Sequence, residues 1–286
     1  MDRIIEIKTD EETAIKEFLE KRYSAPLISR LYRTDGISIN GIIGKSNSLI
    51  KPGDLLTLVF KETLVSDYKP LKMNIEIVFE DEDTLVVLKD SGIAVIPTRA
   101  HYEDNLFCGL EYLYPGKVFR VVTRLDKDTK GLVLLTKNAL AHSILSENIK
   151  SITRIYYAEL CGIVEKDTVI NAPIARLEGI KRGVSPVGDS ACTKLKVLGY
   201  YNGNTVGEFT LLTGRTHQIR VHSAYIGHPV AGDTLYGNCD GVYNGGQKLF
   251  CGKLSYISPI NRKYVEIDKK MVFLKNYPQF NSVLKL

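Results

Sequence analysis

The segment Val121–Asn138, reading VVTRLDKDTKGLVLLTKN, contains a carboxylate placed to do chemistry. Asp126 stands between Arg124 and Lys127 in a polar, charged stretch that runs through Gly131 into an apolar strand. That arrangement puts the carboxylate at the edge of a sheet rather than within it, and the neighbouring cations favour its ionised form. An ionised, positioned aspartate is a nucleophile or a base. The same residues also describe a solvated charge cluster in a turn, and their spacing alone leaves both readings open.

A second stretch, Thr213–His222, reads TGRTHQIRVH. Gly214 suits a tight strand-to-helix turn, and Thr216 is a good helix N-cap. Arg215 projects from that turn, and its planar fork fits a carboxylate elsewhere in the fold. His217, His222 and His228 invite a metal reading, but their spacings of five and six residues do not place two ligands on one helical face. No metal site is expected.

These segments need a scaffold, and the chain is long enough to supply one. Its 286 residues suit one sizeable core, or a catalytic domain with a small appendage. With 44% apolar and 25% charged residues, the composition is that of a globular protein. No run approaches the roughly 18 to 20 apolar residues that span a bilayer. The acidic start MDRIIEIKTDEE lacks the basic end and apolar stretch of a signal peptide. A cytoplasmic protein, not bound to a membrane, is expected. Five scattered cysteines (Cys108, Cys161, Cys192, Cys239 and Cys251) include no C-x-x-C pair, so buried, reduced thiols are expected. The net charge of +5 suits a polyanionic partner without requiring one.

Residues 1–60 read as a compact α+β unit. Thr9-Asp10-Glu11-Glu12 has the form of a capping box, and Ala14, Ile15, Phe18 and Leu19 follow as one helical face. A second helix opens at Ser24-Ala25-Pro26, with proline tolerated in the first turn. It turns Leu27, Ile28 and Leu31 inward and Arg30 and Arg33 outward, and stops at Asp35-Gly36. Ile37-Ser38-Ile39 then enters an Asn40-Gly41 hairpin turn, and Lys51-Pro52-Gly53-Asp54 turns into the strand Leu55–Phe60. Residues 61–74 have no clean period and contain Pro70, as a linker does.

From residue 75 to 286 the pattern changes to short β-type runs: Ile75–Phe79, Leu85–Leu88, Leu132–Thr136, Tyr156–Leu160, Cys192–Leu198 and Glu208–Leu212. Two helices stand out, about Ala139–Ile149 and His217–Ile226, the second punctuated by Gly227 and Pro229. There is no βαβ alternation and no glycine-rich nucleotide loop. The pattern predicts an α+β fold, a mixed, mainly antiparallel sheet with flanking helices.

RLDKDTKGLVLLTKN followed by TGRTHQIRVHSAYIGHPVAGDTLYG resembles the RluA family of pseudouridine synthases. VFEDEDTLVVLKDSGIAVIP, RIYYAELCG and NAPIAR lie in the family's order, so the resemblance covers about residues 75–260. The N-terminal helices and hairpin, with SRLYRTDGISING and IKPGD, resemble the RNA-binding domain of the ribosomal-protein S-four type. The resemblance implies an isomerase that converts uridines of structured RNA, ribosomal or transfer, to pseudouridine without a cofactor. Ribosomal RNA is the expected substrate, since a second RNA-gripping surface suits a large structured target, and we expect a monomer. It assigns Asp126 as the catalytic aspartate, Arg215 as the arginine paired with it and Tyr156 as the tyrosine stacking on the target base. Arg124 matches the residue that fills the space the base leaves, and Leu249 the apolar support of the tyrosine. Tyr157, beside Tyr156, leaves that match open by one residue. Arg30 and Arg33, one turn apart, are candidates for phosphate contacts.

Asp126 would act on the ribose, on the uracil ring, or by abstracting a ribose proton; the sequence leaves all three open. Four places depart from the family: Thr123 stands where histidine is usual before R-L-D, Asp90 where proline follows Lys89, Ile96 where histidine precedes Pro97, and Leu249-Phe250-Cys251 where leucine-histidine-alanine is usual. The alternative of another class is a non-catalytic RNA-binding or ribosome-assembly protein that keeps the fold. A metal-dependent RNA hydrolase would need a ligand cluster that the sequence does not offer.

Overall fold

The computed structural model describes residues 2–62, 65–98, 100–237 and 246–277. Cys239 lies outside them. Residues 75–277 are built on one large sheet in which strands succeed one another in the order Thr168–Asn171, Cys192–Tyr201, Asn204–Leu211, Thr153–Leu160, Leu249–Ile257, Lys130–Thr136, Thr84–Lys89 and Ile75–Glu80. Tyr264–Asp268 pairs with Leu249–Ile257, and the short Arg120–Val121 pairs with Lys130–Thr136. All these pairings are antiparallel except one, a brief parallel contact of Lys130 and Gly131 with Phe250 and Cys251. The fold is thus α+β, with a mainly antiparallel sheet, as its strand-rich pattern predicts.

Thr84–Lys89 and Lys130–Thr136 are buried along nearly their whole length. Alternation explains why both of their faces must be apolar. Leu85, Val87, Val133 and Leu135 pack on one side with Leu106 and Leu110 of the helix Leu106–Leu113, which the sequence reading missed. Val86, Leu88, Leu132 and Leu134 face the main core on the other side. The helices Ala139–Glu147 and Gln218–Tyr225 stand close to their predicted places. Asn138 caps the first by accepting the Ala141 amide. The second begins differently from the prediction: Thr216 is not its cap, and the Gln218 carboxamide accepts the Arg215 amide instead.

Residues 3–60 form a four-stranded sheet (Arg3–Lys8, Leu55–Phe60, Ile37–Ile39, Ile42–Ile43) with the helices Ile15–Glu20 and Ala25–Arg33. The Asn40-Gly41 turn is present with positive φ at both residues, 49° and 84°, the pair of values that a type I′ hairpin requires. The capping box is not formed. The Thr9 hydroxyl donates to the carbonyl of Lys51, and Ala14 precedes the helix without a side-chain cap. Leu140, from the helix Ala139–Glu147, belongs to this unit's apolar core. Cys108, Cys192 and Cys251 are free thiols, whereas Cys161 is disulfide-bonded, against expectation. No helix among the described residues is long and apolar enough to cross a membrane.

Gly131 lets the two central strands meet. Its φ is +139°, and a Cβ there would lie 2.5 Å from both the amide nitrogen and the carbonyl oxygen of Cys251. Gly131→Ala is therefore expected to lower stability by about 2 to 4 kcal/mol through strain and overpacking. Urea unfolding measures this; an unchanged midpoint would mean that the strands do not meet so closely.

Candidate active site

The loop carrying Asp126 leaves the sheet immediately before this parallel contact, and it is pinned along its length. The Thr123 hydroxyl accepts the Leu134 amide at 3.0 Å, so the residue that departs from the family pattern anchors the loop's start. The Lys127 carbonyl accepts both the Lys89 ammonium at 2.8 Å and the Gly92 amide at 3.0 Å. Ser91 Oγ donates to the Asp128 carbonyl, and Gln247 donates to Thr129 Oγ1. Asp90, the second departure, pairs with Lys130 at the head of the strand. Lys89 is fully buried, and burial pulls its ammonium down to about 8 despite the opposing charges of Asp128 and Asp126.

Asp126 Oδ2 accepts the Arg220 guanidinium at 3.1 Å. Arg220 turns its fork to Asp233, with Nε to Oδ2 at 2.7 Å and Nη2 to Oδ1 at 2.8 Å. Asp233 is fixed in turn by the amides of Leu235 and Tyr236. Burial works against the charge on Arg220, but the bond to Asp233 and the nearby Asp126 outweigh it and hold the guanidinium above its ordinary value. Burial likewise opposes ionisation of Asp233, and its bond to Arg220 prevails, keeping that carboxyl below the usual range.

The pairing expected between Arg215 and Asp126 is therefore not made. Arg215 Nε donates to the Ser190 carbonyl, and its Nη1 lies 3.4 Å from Asp189. The reason lies in the helix. Gln218–Tyr225 begins after Arg215, and residues 218–223 are all buried, so Arg220 is the arginine turned toward the sheet. A buried guanidinium needs an anion; that need, applied to the R-V-H run and the later Gly232-Asp233, was the available sequence signal.

Asp126, Arg124, Tyr156, Leu249, Arg215 and His217 line one cavity of about 890 Å³. Register brings them together, because Tyr156 pairs with Cys251, which pairs with Gly131. Tyr156 is 5% exposed and lines the cavity, while Tyr157 points away to stack on Phe273 at 6.0 Å. The alternation thus decides between the two tyrosines. Burial raises the Tyr156 phenol well above its usual range, so it is neutral. Arg124 is exposed and has no hydrogen bond or ion pair among the described residues, which leaves its guanidinium open to a ligand. Ile96, Lys150 and Arg154 also line the cavity.

Arg30 and Arg33 do not reach it. Arg33 is exposed, but Arg30 is not turned outward as expected: it donates to the Lys61 carbonyl and pairs with Glu62 at 3.2 Å. The histidines diverge. His222 donates to the Ala172 carbonyl and meets Thr193, His228 donates to the Cys161 carbonyl, and His217 faces the cavity.

The family described as RNA pseudouridylate synthase matches residues 83–225, a span that contains Asp126, Tyr156 and Arg220. The chain belongs to this family. It is 35% identical over 286 residues to an uncharacterized RNA pseudouridine synthase of Bacillus subtilis (strain 168), covering 92% of this chain and 93% of the relative. It is also 35% identical to ribosomal large subunit pseudouridine synthase D of Pseudomonas aeruginosa, over 70% of this chain and 65% of that protein. Among solved structures, human RNA pseudouridylate synthase domain containing 1 superposes with a TM-score of 0.59 and 28% identity, covering 68% of this chain and 82% of the human one. The protein is an RNA pseudouridine synthase, an isomerase.

Lys89 gives this synthase a pH signature. Its folded value of about 8 lies below the ordinary 10.5, so between those values the unfolded chain holds more protons and stability rises with pH. Relative to Lys89→Met, the native protein should gain about 3 kcal/mol between those two pH values, by 1.36 kcal/mol per unit. Urea unfolding of both proteins across that window checks it; a constant difference would mean that the ammonium is solvated.

Proposed function

We propose that this synthase isomerises uridines of ribosomal RNA, with Asp126 as its catalytic carboxylate. One observation carries the reading: an aspartate held by a buried guanidinium at 3.1 Å opens into a cavity walled by a tyrosine ring. Arg220 aims the carboxylate, in the role first expected of Arg215, and Arg215 is left to the cavity rim. Target uridines in a stem must leave the stack, at a cost of a few kcal/mol. Tyr156 offers a face for the extruded base, and stacking of that kind is worth about 1 to 3 kcal/mol. Arg124, exposed and uncommitted, is placed to fill the gap that the base leaves. Leu249 backs the tyrosine.

We also propose that residues 1–60 are an RNA-binding domain of the S-four type, joined by residues 61–74 to a catalytic domain of 75–286. The order of two helices and a hairpin supports this, with Arg33 as the candidate phosphate contact and Arg30 reassigned to the joint. The preference for ribosomal RNA rests on the name of the Pseudomonas aeruginosa relative and on a second RNA-gripping surface suiting a large target. The chemistry this asks of the chain is charge placement, base stacking and alignment.

Asp126→Asn should abolish pseudouridine formation while leaving RNA affinity within about twofold, since the phosphate contacts that dominate binding are untouched. Arg220→Lys should lose most of the activity, because a lysine cannot serve two carboxylates with one fork. Mapping pseudouridines in ribosomal and transfer RNA from cells with and without the protein decides the substrate. Sites lost only from transfer RNA would refute the ribosomal assignment, and turnover by Asp126→Asn would refute the carboxylate.

A further inference from the structure

His217 faces the cavity but takes no part in the pair that holds Asp126. Its φ is +58°, a left-handed value that costs a residue with a side chain about 1 to 3 kcal/mol and clusters at functional sites. Nε2 stands 3.9 Å from Asp126 Oδ2, beyond hydrogen-bonding distance. Nδ1 lies 2.8 Å from the Tyr236 hydroxyl, which itself accepts the Arg182 backbone amide at 2.9 Å. A phenol has a single proton to donate. Given to Nδ1, it makes that nitrogen an acceptor and leaves the imidazole proton on Nε2, the nitrogen turned toward Asp126. The reverse tautomer would leave the Tyr236 proton without a partner among the described residues. Burial disfavours the charged ring, with Arg220 and Arg182 adding to the effect against Asp126.

When the bond from N1 to C1′ breaks, its electron pair leaves with the uracil, and the charge spreads over N1, O2 and O4. A carboxylate cannot stabilise that anion, whereas a fixed N–H donor beside it can. We propose that His217 is a catalytic residue whose Nε2–H donates a hydrogen bond to a carbonyl oxygen of the detached uracil. Tyr236 is the positioning residue that sets the tautomer. The imidazole keeps its proton throughout. C5 bonds to C1′, and the proton lost from C5 balances the one gained at N1. The inference rests on the Asp126 cavity being the active site.

The test uses the full chain and total RNA purified from cells lacking the protein. His217→Ala should lower kcat about 100-fold with KM and melting temperature little changed, the size typical of losing one such donor. His217→Gln should recover part of that loss, and Tyr236→Phe, which keeps the ring over Arg220, should fall in the same direction. Wild-type kcat in His217→Ala and Tyr236→Phe, beside an inactive Asp126→Asn, overturns the role of His217 alone. A loss that tracks KM or melting temperature overturns it equally. Activity in Asp126→Asn overturns the active-site reading itself.

Discussion

Everything at the site depends on one guanidinium serving two carboxylates. Arg220 is 8% exposed, and an unpaired cation at that depth would cost several kcal/mol. Its fork is taken by Asp233 and only Nη1 is left for Asp126. That division matters for chemistry. Asp233 neutralises the charge of the arginine, so Asp126 is oriented through one oxygen without being quenched. Its other oxygen has no hydrogen bond among the described residues and is free to meet a substrate. A fork given wholly to Asp126 would have engaged both of its oxygens and left neither open to the cavity.

The sheet puts the pair where a nucleotide can reach it. Lys130–Thr136 and Leu249–Ile257 share a ladder of only two residue pairs, Lys130 with Phe250 and Gly131 with Cys251. The loop that precedes this contact stands over the middle of the sheet rather than at a lateral edge, and Gly131 makes the contact close enough to form. The N-terminal unit is tied to the same region. The Glu62 side chain, 5% exposed, bridges Arg30 of the helix Ala25–Arg33 and Arg120 of the strand before the loop. Arg30, so committed, is not held out to solvent as expected but ties the unit to the sheet.

Much of this was legible in the residues, and the failures have causes. Leu55–Phe60 and Ile37–Ile39 are strands with the predicted bounds, because alternation and turn chemistry agree there. Thr9–Glu12 has every letter of a capping box, yet Thr9 turns to Lys51, a partner that lies close only after folding. Leu249–Ile257 was recognised only through Leu249, because a strand buried on both faces shows no alternation. The site was legible in Asp126 and Tyr156, which sit in distinctive local runs. Arg220 was not, because its pairing spans residues far apart in the chain, and Arg215, in the adjacent turn, has the same chemistry and looks more available.

The choice of tyrosine shows how a distant element specifies the site. Successive residues of Thr153–Leu160 face opposite sides, so a slip of one position would exchange Tyr156 and Tyr157. The pairing with Leu249–Ile257 is irregular between Ile155 and Tyr156, which makes register a live question at this point. Tyr157 answers it. Its ring stacks on Phe273 and lies beneath the ammonium of Lys270, both from the helix Lys270–Leu274. With Tyr157 held on that face, Tyr156 has no other place than the cavity wall. The helix Lys270–Leu274 therefore bears on the cavity wall without lining the cavity, by occupying the alternative.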